Sequence, residues 1–193
     1  MTRLVAALCL TQAVFALGVL ALRAGGGMPG RSQRFSGQDT GAWVPGEPIR
    51  PWTHIIIHHS ASASGSASHF DRAHRLKGWD GLGYHFVVGN GSLTEDGRVE
   101  AGERWMRQQD GAHAKPEWNA RAIGVCLVGN FDEGKPSEEQ LAALEDLCRW
   151  LCRECGIPPD RVVGHGETHG NATRCPGRLL DLGDLRRRLE GDR

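Results

Sequence analysis

Net charge is the first thing missing from this 193-residue chain: 23 Lys and Arg face 23 Asp and Glu. A balanced chain has no field to steer it toward nucleic acid or an acidic surface. No nucleic-acid partner is expected, and function must reside in a local site. Tyrosine occurs once, as Tyr84. No segment repeats, which excludes solenoid and propeller architectures. What is present is ordinary, with 39% hydrophobic and 24% charged residues. That composition and length suit one soluble domain able to bury a core, expected as a monomer.

Leu4 to Leu22 is apolar except at Thr11 and Gln12, with Arg3 before it and Arg23 after it. Residues 1–24 therefore read as an export signal. A run of about 19 residues also spans a bilayer, so cleavage after Ala21 and retention as a membrane anchor through residues 4–22 are both open. In either case the domain is expected to be exported, to a periplasm or beyond the cell. Cys9 is not expected to carry lipid, because bulky Leu8 precedes it. Residues 25–50, rich in Gly, Ser, Pro and Arg, read as a flexible linker. The folded domain is expected over residues 51–190.

Inside the domain, strand-like and helix-like segments alternate. His54 to His59 is a β-branched run suited to a strand buried on both faces. A helix capped by Ser66 or Ser68 should run to about Lys77. Tyr84 to Val88 reads as a strand, and Asn90-Gly91 and Asp96-Gly97 mark turns of a hairpin or meander. Ile123 to Val128 is another buried strand. Ser137 with Gln140 makes a capping box for a helix that Gly156 stops. Arg161 to Gly164 is a short strand, and Leu182, Leu185 and Leu189 mark a final helix. The expected fold is α/β: a mixed central β-sheet flanked by helices.

Cys148, Cys152 and Cys155 continue the apolar stripe of the capped helix. Packing as small hydrophobes is the favoured reading. A disulfide, a metal site or a thiol-based structural or redox role built on the three stays open. His58, His165 and Cys175 have more to offer. Two imidazoles and a thiolate suit tetrahedral zinc, and a fourth position left to water makes a catalytic site. His58 and His165 fall at strand ends, where α/β sheets form sites, and a ten-residue interval can bring Cys175 back to His165. Spacing alone is a weak signal, since lone histidines are more often satisfied by hydrogen bonds.

Six short motifs sharpen it. They are His58-His59-Ser60-Ala61-Ser62, Gly83-Tyr84-His85-Phe86, Asp96-Gly97, Gly111-Ala112-His113-Ala114, Ile123-Gly124-Val125 with Gly129-Asn130-Phe131, and Gly164-His165 with Cys175-Pro176-Gly177. In that order they resemble the type 2 N-acetylmuramoyl-L-alanine amidases, a family that also includes peptidoglycan recognition proteins. The resemblance covers about Trp52 to Leu182. It implies one zinc ion held by His58, His165 and Cys175, and a peptidoglycan or muropeptide substrate. The bond cleaved would be the amide between N-acetylmuramic acid and L-alanine. It also implies that His59 is not a ligand, in agreement with strand alternation. Tyr84 and Thr173 map to residues that hydrogen-bond the oxyanion or orient water, and His113 to a histidine lining the substrate groove. The departing amine needs a proton, for which His113 and the metal's water are the candidates.

Three departures stand out. The loop from His165 to Cys175 is two residues longer than in recognition proteins. Cys126 stands where some amidases carry a glutamate, which puts a carboxylate general base in doubt. Glu167, close to His165, matches no catalytic position. His74 and His85 read as structural, and His169 as a minor substitute ligand. Trp105 and Trp118 either line a sugar groove or pack. The alternative function is a peptidoglycan-binding receptor without catalysis. Non-catalytic members commonly replace the cysteine, so Cys175 favours the enzyme.

Overall fold

The structure, a computed structural model, describes residues 34–35 and 38–191. The apolar run over residues 4–22 and the first part of the expected linker lie outside the described residues. Among the described residues, no helix is long and apolar enough to cross a membrane.

The linker reading needs correction over residues 40–50. Strands β1 (Arg34–Phe35) and β2 (Gln38–Asp39) pair antiparallel. A 3-10 turn over Thr40–Trp43 follows. Trp43 is 1% exposed and meets Trp150 edge-on at 5.7 Å. The indole N–H of Trp105 donates to the Trp43 carbonyl at 2.6 Å. Gly46 N–H donates to Met106 O, and Arg50 pairs with Asp110 at 2.6 Å. Gly, Ser and Pro content signalled a tether, but one large apolar side chain and a few backbone bonds tie this stretch to the domain.

Five strands form the central sheet: β3 (His54–His59), β4 (Phe86–Val88), β5 (Val99–Ala101), β6 (Ala122–Leu127) and β7 (Val162–Gly164). Their order is β5-β4-β6-β3-β7. β3 runs parallel to both β6 and β7, β4 runs parallel to β6, and β5 closes the edge antiparallel to β4. This is the mixed sheet the alternating sequence implied.

Helix α1 (Ala67–Leu76) starts at Ser66, whose hydroxyl accepts from His69 N–H at 3.1 Å. Single turns α2 (Glu103–Met106) and α3 (Pro116–Asn119) follow. Helix α4 (Glu138–Cys155) has the Ser137–Gln140 capping box and ends at Gly156 in the left-handed conformation. Helix α5 (Leu182–Glu190) is capped by Asp181. Alternation along β3 splits its residues. Ile55 and Ile57 join Phe86, Val88, Ile123, Val125 and Leu127 in a core completed by Leu144, Leu147 and Leu151 of α4 and Leu185 and Leu189 of α5. Cys148 is in that core, with Cys152 and Cys155 packed against it, and none of the three is joined in a disulfide. The hydrophobic reading of that cluster stands. Ile56 belongs to a smaller cluster on the opposite face, with Trp118 and Ala122.

Candidate metal centre

Register brings the centre together. Ile57 pairs with Gly164, so the next residue on each chain segment, His58 and His165, comes side by side with ring centroids 4.6 Å apart. The loop after His165 folds back on itself. Gly166 N–H donates to Cys175 O at 2.7 Å, and Cys175 N–H donates to Thr173 Oγ1 at 3.1 Å. The Cys175 thiol arrives 3.7 Å from His58 Nδ1 and accepts from His59 N–H at 3.4 Å. The ligand atoms of His58, His165 and Cys175 all lie within 4.8 Å of one another. Donors on one tetrahedral zinc are roughly 3.5 Å apart, so these three are grouped closely enough to share such an ion.

One further observation favours an ion. Among the described residues, His165 Nε2 is the buried side-chain nitrogen or oxygen with no hydrogen-bond partner. Burial also pushes the Cys175 thiol up to about 11. A thiol so placed is protonated at neutral pH unless a cation takes the proton's place. His58 is 2% exposed, and burial first, then His113 and His165, hold it well below the usual imidazole range. A neutral imidazole is the form that ligates metal.

The other expected residues lie around this centre. Tyr84 approaches His58 with centroids 5.2 Å apart. The neighbouring Cys126 sulfur and then burial raise its phenol well above the usual value, which keeps it a donor. In the sheet Cys126 pairs with His58 and lies fully buried, and its thiol donates to the Leu127 carbonyl at 3.8 Å. Thr173 is exposed beside Cys175, with its hydroxyl oxygen occupied as an acceptor and its proton free. His59 points to the other face, where Nδ1 accepts from Phe131 N–H at 3.1 Å. His113 is 9% exposed, and both ring nitrogens are used inside the protein. It lines the groove with neither ring nitrogen left without a hydrogen-bond partner.

His74 and His85 are structural, as expected. His74 Nδ1 accepts from Gly83 N–H and His85 Nδ1 from Gly124 N–H. Burial lowers His85 to about 4. Glu167 is tied to Gly164 N–H and Arg186, and exposed His169 is not in the ligand group. Trp105 and Trp118 pack rather than line a groove. A different tryptophan lines it. Trp79, 43% exposed, flanks a cavity of about 440 Å³ with Tyr84, His113, Lys115, His165 and Asn171. An exposed tryptophan beside Gly78 carries no sequence signal that separates it from a surface residue.

A mixed sheet gathering two imidazoles and a thiol at the carboxyl ends of its parallel strands defines an α/β domain with a metal-type centre. The sequence model of the N-acetylmuramoyl-L-alanine amidase family matches residues 48–178, and the chain belongs to that family. An N-acetylmuramoyl-L-alanine amidase of Sus scrofa is 33% identical over 135 residues, covering 69% of this chain and 20% of the pig protein. This chain thus corresponds to about a fifth of that relative. A peptidoglycan-recognition protein of Drosophila simulans is 32% identical over 142 residues, covering 69% of this chain and 72% of its own. The solved N-acetylmuramoyl-L-alanine amidase LysC from Clostridium intestinale superposes with a TM-score of 0.64 at 27% identity, over 77% of this chain and 93% of that one.

Proposed function

We propose that this domain hydrolyses the amide between N-acetylmuramic acid and L-alanine in peptidoglycan or muropeptides, with one zinc ion held by His58, His165 and Cys175. The convergence of those three side chains carries the proposal. Family membership, shared with proteins named as amidases, supports it. A zinc ion in such a site supplies Lewis acidity toward the amide carbonyl and a water of lowered pKa.

The chain's own residues do the rest. Tyr84, held protonated beside Cys126, donates a hydrogen bond to the carbonyl oxygen as negative charge grows there. Thr173 offers its free hydroxyl proton from the other side of Cys175. The groove past Trp79, Lys115 and Asn171 accepts the substrate, with the indole face suited to apolar sugar or peptide faces. Export, by a cleaved signal or an anchor over residues 4–22, and a monomeric state complete the reading.

The test is release of stem peptides from purified cell wall, with Cys175→Ser as control. The wild type should release peptides, and the variant should stay folded while losing tightly bound zinc and at least about a thousandfold in activity. Wall binding without release by the wild type would instead support a receptor, the reading suggested by the relatives named recognition proteins. Full activity in Cys175→Ser after exhaustive chelation would end the zinc proposal.

A further inference from the structure

His113 contacts His58 on the side away from Cys175, and the hydrogen-bond directions there admit one solution. The Ala122 carbonyl lies 3.3 Å from His113 Nε2. A carbonyl only accepts, so Nε2 of His113 carries the proton. A neutral imidazole has one N–H, so His113 Nδ1 is a lone pair. That lone pair lies 3.1 Å from His58 Nε2, which must therefore be the donor. His58 is then protonated at Nε2, and its Nδ1 lone pair is left facing the Cys175 sulfur at 3.7 Å. One backbone carbonyl thus sets the protons of two rings in series.

The surroundings hold His113 to this single pose. Asn119 Oδ1 accepts from the backbone N–H groups of His113 and Ala114, each at 2.9 Å, and its amide donates to Ala114 O at 2.9 Å. The ring lies in a slot between two glycines. A Cβ at Gly124 would fall 2.4 Å from His113 Cδ2, and one at Gly111 would fall 2.3 Å from the same atom. Neither position tolerates a side chain while the ring stays in place. His85 lies against His113 at 5.6 Å, itself held by Gly124 N–H and the Gln109 carbonyl.

We infer that His113 is a positioning residue that selects the Nε2–H form of His58 and so directs its Nδ1 lone pair into the metal centre. The inference rests on the metal reading of that centre and adds to it a part that touches neither ion nor substrate through a polar atom. Groups that orient a ligating histidine typically contribute about 10- to 100-fold to metal affinity.

The experiment uses three proteins: wild type, His113→Leu, which fills the slot without an acceptor, and His113→Asn, whose amide oxygen can replace Nδ1. Zinc affinity is measured by chelator competition, and the protonation of His58 by nitrogen NMR of the metal-free proteins. Wild type should show the Nε2–H form of His58. His113→Leu should show a mixture and bind zinc about 10- to 100-fold more weakly. His113→Asn should recover most of both. Equal affinity in all three, or an Nδ1–H form of His58 in the wild type, would overturn the inference. Failure of the wild type itself to bind zinc would instead count against the metal centre. Loss in both variants alike, with His58 unchanged by NMR, would show a packing role only and overturn the inference too.

Discussion

Ile57 and His58 are neighbours on β3, yet they face different chemistry. Ile57 looks into a dry face of the sheet sealed by α4 and α5. His58 looks onto a face where β6 offers Ala122, Gly124 and Cys126 in place of Ile123, Val125 and Leu127. Small residues leave volume on that side, and imidazoles fill it: His58, His85, His113 and His165 each have another of these rings at 5.6 Å or closer. The first face stabilises by burying area, at about 1.5–3 kcal/mol per large side chain. The second is held by directed hydrogen bonds, each of which constrains a lone pair. One strand can serve both ends because its side chains alternate.

The comparison can be broken at either face. The largest effect is the loss expected from Cys175→Ser, which should abolish metal binding while thermal unfolding of the chelated protein stays near wild type. Next comes Leu147→Ala, a cavity in the apolar core, expected to cost about 2–5 kcal/mol in denaturant unfolding while zinc affinity is kept. If zinc affinity falls in step with stability there, the faces are not separable. Tyr84→Phe should reduce turnover by on the order of a hundredfold, about 3 kcal/mol, with metal content unchanged. Unchanged turnover would make Tyr84 a packing residue.

The smallest effect sharpens the contrast through pH. His85 sits at about 4 in the folded protein, against about 6.5 unfolded. Its folded value is depressed, so its contribution is complete above pH 6.5 and is lost as pH falls toward 4. At pH 5 this one ring should lower stability by about 2 kcal/mol, and buried His58 and His113 shift in the same direction. Urea midpoints of the chelated protein should fall from pH 7 to pH 5. Equal midpoints at the two values would mean these rings are not neutral and buried as described.

Much of this was legible beforehand. The sheet's strands, the capping box at Ser137 and the apolar stripe through Cys148 follow from periodicity and caps, which act locally. The ligand set needed more, since His58 and Cys175 are 3.7 Å apart in space but 117 residues apart in sequence; ordered motifs resembling a family supplied what spacing could not. The role of His113 was not legible, because it depends on which way an Ala122 carbonyl points. That Trp79 lines the groove while Trp105 packs was not legible for a similar reason. An indole reads the same in sequence whether its partner is solvent or Trp43.

Trp43 also bears on where this domain can be cut. The family match opens at residue 48 and the composition shift suggested Pro51, so both invite a shortened gene that starts just too late. Such a product would be missing the wedge that packs on Trp105 and Trp150. It would carry an indole-sized hollow at the rear of the sheet, on the side that His58 turns away from.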